Sequence, residues 1–482
     1  MTEWETVVSA ALLGTARRPL DPAALPEPVR ANLSVDASGT DPERTLLAAA
    51  ALLTGYRRAG RLPDRDAAPV SPAPPDEREL VGPAARYRLA RLLFGDYDHL
   101  LPEWLAAVAA RGLRVPPERL PVLADVASGR PELRAPMAVA AGPRGPWLAA
   151  LRTEWAFLAE LPGNDDPRVW QFGTVGQRVV WLTSLRATDP AQARAALDEV
   201  WTTEPAPVRA EFLGVLRAGL STSDEEFLER ALDDRARDVR RLAAELLAAL
   251  PGSALGRRMA HRLRPLLSLR RRTLVVRLPT GCDDAARRDG ISPTPPRGVG
   301  ERAWWLGQLV SLAPLSVWTE LAGSAATVVR LPVEGCDPRL LAVGWAAAAL
   351  RESAPDWAHA LLAGEIALGV EQITRLITVL PRTDWAKAIT EVTRDGDPST
   401  ALFTGLPVPW PAEVGTLVLD RLAMARDNRA VAHLADIAAY AAPVECLNHP
   451  LTTAVLPADA SSWRRRLADT LIFRREMYKE LT

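Results

Sequence analysis

The sequence predicts an all-α chain, a solenoid of antiparallel helical hairpins carrying a short β element. Three observations lead there. Two blocks between Asp189 and Leu263 superimpose at a fixed period, tryptophans recur at helical positions through the C-terminal half, and no apolar run is long. The longest, Leu340 to Leu350 with Gly344 inside it, falls short of the roughly 20 residues that cross a bilayer. With 48% hydrophobic and 24% charged residues over 482 positions, the chain can bury a sizeable core, which excludes disorder. The 58 basic and 59 acidic side chains leave a net charge of −1, so no global field draws the molecule to nucleic acid or to an anionic membrane.

The elements follow in order. Trp4, Val7, Val8, Ala11 and Leu12 lie at helical spacing and place one apolar stripe on a first helix, which Gly14 stops. A second helix is expected from Pro42 to Tyr56 with Asp41 as its N-cap. These make an N-terminal helical segment, 1–60. The prolines of 61–78 exclude regular helix and predict an extended linker. Helical patterns resume over Glu79–Phe94 and Pro102–Ala110 and open a repeat lobe, 79–278.

Inside that lobe Val208-Arg209 aligns with Val239-Arg240, Leu216 with Leu247, and Leu228 and Leu232 with Met259 and Leu263, each pair 31 residues apart. Val239, Leu242, Ala243, Leu246, Leu247 and Leu250 form a continuous stripe, and Asp233-Asp234-Arg235 marks the turn before it. A single helical hairpin cannot cover both of its apolar sides, so such units stack. Asp238 to Leu250 is similar to the second helix of a HEAT repeat.

A loop or linker is expected over 279–300, where Ser-Pro-Thr-Pro-Pro forbids helix, followed by a second helical lobe, 301–482. Trp318, Trp357 and Trp385 mark further degenerate repeats there. The final helix carries Trp463, Leu467, Leu471, Tyr478 and Leu481 on one face and arginines opposite, the pattern of a terminal cap. One motif departs from the helical pattern: Val275-Val276-Arg277-Leu278-Pro279 recurs as Val328-Val329-Arg330-Leu331-Pro332, each followed by Gly-Cys-Asp. Both copies read as extended, and their pairing would make Cys282 and Cys336 neighbours.

Trp4 with Ala11-Leu12-Leu13-Gly14-Thr15-Ala16-Arg17, Phe172-Gly173-Thr174, Asp289-Gly290-Ile291 and the closing Leu447-Asn448-His449-Pro450 through Trp463, Phe473-Arg474 and Glu480-Leu481 resemble a bacterial family, domain of unknown function 5691. The resemblance spans nearly the whole chain. It implies a HEAT-like body and partners of the MoxR-type AAA ATPase and von Willebrand A-domain kinds. It brings no catalytic residues with it.

The residues themselves offer little chemistry. His99, His261, His359, His433 and His449 lack metal-ligand spacing, and three cysteines are too few for a zinc framework. Lys387 and Lys479 are the only lysines, and neither stands in a phosphate-binding loop or a Schiff-base setting. The carboxylate pairs Asp165-Asp166, Asp233-Asp234 and Asp283-Asp284 fall in turns, where aspartate caps helices. No catalytic residue, cofactor or metal is expected.

The candidate partner site is Arg257, Arg258, Arg262, Arg264, Arg270, Arg271 and Arg272, which with Arg277 form a run of eight cations without an acid between them. The competing expectation is neutralisation by the acidic run Asp224 to Asp238 one repeat earlier. Trp304 and Trp305 join the candidate site, because adjacent residues diverge by about 100° on a helix and both cannot sit centrally in one narrow stripe. The sequence therefore predicts a cytoplasmic, non-catalytic scaffold or adaptor that binds a protein, with no membrane and no nucleic-acid partner. The alternative is a HEAT-like nucleic-acid binder or DNA glycosylase with an arginine-lined groove.

Overall fold

A computed structural model describes residues 3–33, 41–59, 71–159, 167–366, 368–393, 400–426, 428–453 and 460–481. The chain forms two compact units, Met1–Ala73 and Pro74–Thr482. The division falls within the predicted linker 61–78, whose residues 61–70 lie outside the described residues.

The first unit holds α1 (Glu3–Leu13), α2 (Glu27–Ala31) and α3 (Pro42–Ala59). Asp41 caps α3 as expected, its carboxylate accepting the Arg44 N–H at 2.9 Å. Val7, Ala10, Val29, Leu46, Ala49 and Leu53 make the core. The α1 stripe differs from its expected form: Val7 and Ala10 turn inward, whereas Leu12 is 81% exposed.

The second unit begins with α4 (Pro83–Leu93), α5 (Leu101–Ala110), α6 (Leu120–Gly129), α7 (Arg134–Ala141) and α8 (Arg144–Leu151). The array proper follows with α9 (Pro167–Phe172), α10 (Val175–Thr188), α11 (Pro190–Val200), α12 (Ala206–Val215), α13 (Glu225–Ala231), α14 (Arg237–Ala249) and α15 (Ala254–Leu263). A small sheet adds β1 (Leu267–Arg270), β2 (Thr273–Val276) and β3 (Val333–Glu334), with α16 (Asp284–Arg288), α17 (Glu301–Leu312), α18 (Ser316–Ala322) and α19 (Ala325–Arg330) between β2 and β3. The rest is α20 (Pro338–Glu352), α21 (Pro355–Leu362), α22 (Val370–Val379), α23 (Trp385–Val392), α24 (Thr400–Thr404), α25 (Ala412–Met424), α26 (Arg429–Ala441), α27 (Pro450–Thr453) and α28 (Ser462–Glu480). The protein is mostly α-helical with a short β element, as the sequence predicts.

Helices α10, α12, α14, α17, α20, α22, α24, α26 and α28 succeed one another as a layer, each touching the next. Helices α19, α21, α23 and α25 succeed one another behind it. The 31-residue period is physical: Phe212, Leu213, Leu216, Leu228 and Leu232 are buried, as are their counterparts Ala243, Ala244, Leu247, Met259 and Leu263. The repeated Val-Arg has a local cause as well. Arg209 reaches back to the Glu204 carbonyl at 2.5 Å, and Arg240, one period on, reaches back to the equivalent Arg235 carbonyl at 2.8 Å. Each guanidinium fastens the turn that precedes its own helix.

Three expectations need correction. The 279–300 segment does not divide two lobes: it contains α16, and one apolar core runs without interruption from Trp170 to Leu471. The core divides earlier, because residues from Val81 to Leu158 form a separate cluster. Of the twin Val-Val-Arg-Leu-Pro motifs only the first is extended. Val328 and Val329 lie in α19, and β2 pairs with β3 instead, in parallel, with Leu274 opposite Val333 and Val275 opposite Glu334. Pro332 ends the helix and Gly335, at φ +93°, turns the chain beside the Val276 carbonyl, where a β-carbon would not fit. Finally, α28 is no terminal cap. Trp463, Leu467 and Leu471 enter the long core, while Phe473, Met477 and Leu481 enter the Val81–Leu158 core.

Candidate functional site: an arginine-rimmed cleft

The predicted arginine run separates into two groups. Arg258 and Arg262, on one face of α15, converge on Asp289, whose side chain is nearly fully buried; the ion pairs are 2.7 and 2.6 Å. Arg258 also meets Glu229 of the acidic run at 3.0 Å. Arg264 pairs with Glu320 at 2.7 Å, and Arg257 bonds the Gly252 carbonyl. These four are occupied within the fold. Arg270, Arg271 and Arg272 form the tip of the β1–β2 hairpin, exposed, with no partner for any guanidinium among the described residues. Arg271 and Arg272 hold φ of 45° and 66°, a left-handed conformation that costs an L-residue roughly 1–2 kcal/mol.

The Asp289-Gly290-Ile291 motif explains how the 279–300 segment is seated. Asp289 ties it to α15, and Ile291 is buried. Gly290, at φ +94°, passes so close to Ala244 that a β-carbon would stand 2.6 Å from it. Both tryptophans fasten the next residues: Trp304 Nε1 donates to the Ser292 carbonyl at 2.9 Å and Trp305 Nε1 to the Pro293 carbonyl at 3.0 Å. Gln308 closes on Ser292 from both sides, accepting its N–H at 2.8 Å and donating to its carbonyl at 3.1 Å. The adjacent indoles thus hold adjacent carbonyls of one segment, and both remain half-buried.

That seated segment forms one wall of a cleft of about 1510 Å³, completed by α14, α17 and α20. Arg217, Arg237, Arg240 and Arg241 stand on the α14 side, Arg287 beside the segment, and Arg339, Arg351 and Arg375 on the α20 side. The lining itself has two carboxylates, Glu245 and Asp337, and just outside it Asp284 pairs with Arg287 at 3.0 Å, Glu352 with Arg351 at 2.7 Å and Glu371 with Arg375 at 3.7 Å. Arg241 is paired with Glu245 at 2.5 Å on the exposed rim, and Asp337 is used in capping α20 through the Arg339 N–H. Arg339 is exposed, its guanidinium without a partner among the described residues. Arg351 serves the fold instead. At the bottom of the cleft it donates to the Ala248 carbonyl at 3.0 Å and the Ala313 carbonyl at 2.9 Å, and also to the Ser311 carbonyl. It thereby joins the C-terminal ends of α14 and α17, where helix dipoles favour a cation. Burial lowers its pKa.

Of the predicted site residues only Trp304 lines this cleft. A sequence signal for the rest exists. Arg237, Arg240 and Arg241 stand at i, i+3 and i+4, one helix face, but Val239-Arg240 also satisfies the repeat pattern, which conceals the cluster. Leu340 to Leu350 registers in the sequence only as an apolar run too short for a membrane.

Elsewhere the chemistry is modest. Asp233 pairs with Arg288 at 2.6 Å and Asp234 with Arg209 at 2.8 Å, and Asp283 caps α16. Asp165-Asp166 lies outside the described residues. His449 meets Asp420 at 3.1 Å and His359 meets Asp384 at 3.4 Å. Burial pushes the Cys282 thiol up and the Cys336 thiol up to about 11, so neither is a ready thiolate. No group of three metal-ligating side chains occurs among the described residues, and none of their helices is long and apolar enough to cross a membrane.

Fold and cleft together define a mostly α-helical protein with an apolar-floored, arginine-rimmed groove on its helical layer. The chain belongs to the family of unknown function DUF5691, which it matches over residues 6–481. No curated protein and no solved structure matches it.

Proposed function

We propose that this protein is a non-catalytic, HEAT-like helical scaffold that holds a segment of a partner protein in the arginine-rimmed cleft. The observation that supports this reading is the charge of the lining: eight arginines stand around the cleft in a molecule of net charge −1, and three of them, Arg237, Arg240 and Arg339, have no carboxylate partner among the described residues. Guanidinium groups at a rim steer and orient acidic partners. The hairpin tip Arg270-Arg271-Arg272 is a second contact in this proposal, since its cations are free where those of α15 are internally paired. The MoxR-type ATPases and von Willebrand A-domain proteins implied by the family resemblance are the first partners to test, in the cytoplasm, where three free cysteines are at home.

A nucleic-acid strand is the second reading, favoured by the same arginines beside Trp304. Capture from native lysate with the wild-type chain and with Arg217→Glu/Arg339→Glu/Arg375→Glu and Arg270→Glu/Arg271→Glu/Arg272→Glu variants tests the first. Loss of a protein partner with the cleft variant supports it, and identical partners for all three would sink it. Tight single-stranded DNA binding that falls steeply with salt would favour the second.

A further inference from the structure

Helix α20 is apolar on two sides. Leu341, Ala342, Trp345, Ala348 and Ala349 fill the core, as any layer helix requires. Yet Leu340, Val343, Ala347 and Leu350 all line the cleft, and of these Val343 and Ala347 are exposed. Their spacing of three, four and three residues is the a/d seam by which one α-helix accepts another. Gly344, beside the seam, is buried against α17, where a β-carbon would stand 2.5 Å from Val310 Cγ1, so it serves the packing of α20 within the layer. Leu340 also packs on the long core, whereas the exposed Val343 and Ala347 face the cleft.

Resting on the cleft reading above, we infer that the occupant is an amphipathic acidic α-helix of the partner protein, laid along α20. Its apolar stripe meets the α20 seam and its carboxylates meet the arginines on either rim. The dimensions agree. A helix about 10 Å across with a rise of about 1.5 Å per residue fills roughly 120 Å³ per residue, so the cleft accepts a little over three turns. The seam from Leu340 to Leu350 is about 15 Å long by the same rise, nearly three turns. Nucleic acid fits less well, because unstacked bases need several aromatic platforms and Trp304 is the one aromatic ring in the lining. A small-molecule site is commonly about 300–1,000 Å³, below the volume here.

The test is selection of a displayed library of randomised 14-residue peptides on the full chain, beside a randomised single-stranded oligonucleotide pool. Enriched peptides are expected to carry apolar residues three and four apart with Asp and Glu between them. Their affinity, read by fluorescence anisotropy, should fall at least tenfold with Ala347→Glu, which adds charge at an exposed seam position, and with Arg339→Glu/Arg375→Glu. Unchanged melting temperatures in these variants keep folding out of the comparison. Failure to enrich peptides, enrichment indifferent to Ala347→Glu, or cleft-dependent enrichment of oligonucleotides alone would each overturn the helical occupant. The broader cleft reading stands or falls separately, on whether the charge-reversed cleft loses the captured partner.

Discussion

Arg474 of α28 donates through Nε and Nη2 to both carboxylate oxygens of Glu103 in α5, at 2.7 to 3.0 Å, across 371 positions of sequence. Its Nη1 holds the Ala439 carbonyl at 3.0 Å, and Tyr478 donates to the same Glu103 at 2.9 Å. Beside it Arg88 meets Glu480 at 2.5 Å. The last helix is thereby bonded to the first part of the second unit on one side and to α26 on the other.

Glu103→Ala leaves the Arg474 guanidinium buried without its counter-charge. Removing one partner of a buried pair costs about 3–5 kcal/mol. Urea titration should show the loss, and limited proteolysis should cut first between residues 83 and 158, the segment whose core borrows Phe473 and Met477. A variant as stable as wild type would show that the contact is incidental.

Asp224 is a buried acid whose charge the fold supports from several sides. Burial opposes ionisation, but Arg186 at 2.6 Å, the Ser221 N–H and Arg194 at 2.9 Å outweigh it and hold the carboxyl below its ordinary 3.8. A depressed folded pKa stabilises the native state at pH above the ordinary value, and that contribution is lost as pH falls from there through the folded pKa. Asp224→Asn should cost about 3–5 kcal/mol near neutrality and flatten the decline of stability below pH 4. Parallel acid limbs for both proteins would contradict this.

Arg271→Asn/Arg272→Gly places at the hairpin tip the residues that a two-residue turn with positive φ prefers. The urea midpoint should rise, by the equivalent of about 1 kcal/mol or more. If the tip docks a partner, the same variant binds more weakly although it is more stable, and that opposition separates binding from folding.

Gly335→Ala sets a methyl against the Val276 carbonyl at φ +93°. A destabilisation of about 1–3 kcal/mol should come with faster amide exchange at Leu274, whose N–H bonds the Pro332 carbonyl at 2.8 Å between β2 and β3. Exchange unchanged at Leu274 would place the strain elsewhere.

The sequence displays most of the local structure and little of its long-range pairing. The stripe of α14, the Asp41 cap and the 31-residue period are encoded by neighbours within a few turns, and each is readable. The Val328-Val329 pair misleads because β-branching disfavours helix only slightly, and packing of both side chains into the core decides for α19. Asp289 as the counter-ion of Arg258 and Arg262 lies 31 and 27 positions away, beyond the reach of any local pattern. The cleft is hidden for a related reason. Leu340 to Leu350 records only that the run is apolar, and the sides of α20 differ in what they face only once α17 and the Ser292–Pro293 segment are in place.

The double engagement of α28 also sets an order of events during synthesis. Chains grow at about 5–20 residues per second, so Glu103 waits roughly 20 to 75 s before Arg474 exists to meet it. Throughout that interval the Val81–Leu158 cluster lacks Phe473, Met477 and Leu481, and its greasy flank stands open to water and to chaperones. The nascent chain cannot finish the Val81–Leu158 core until α28 has left the ribosome.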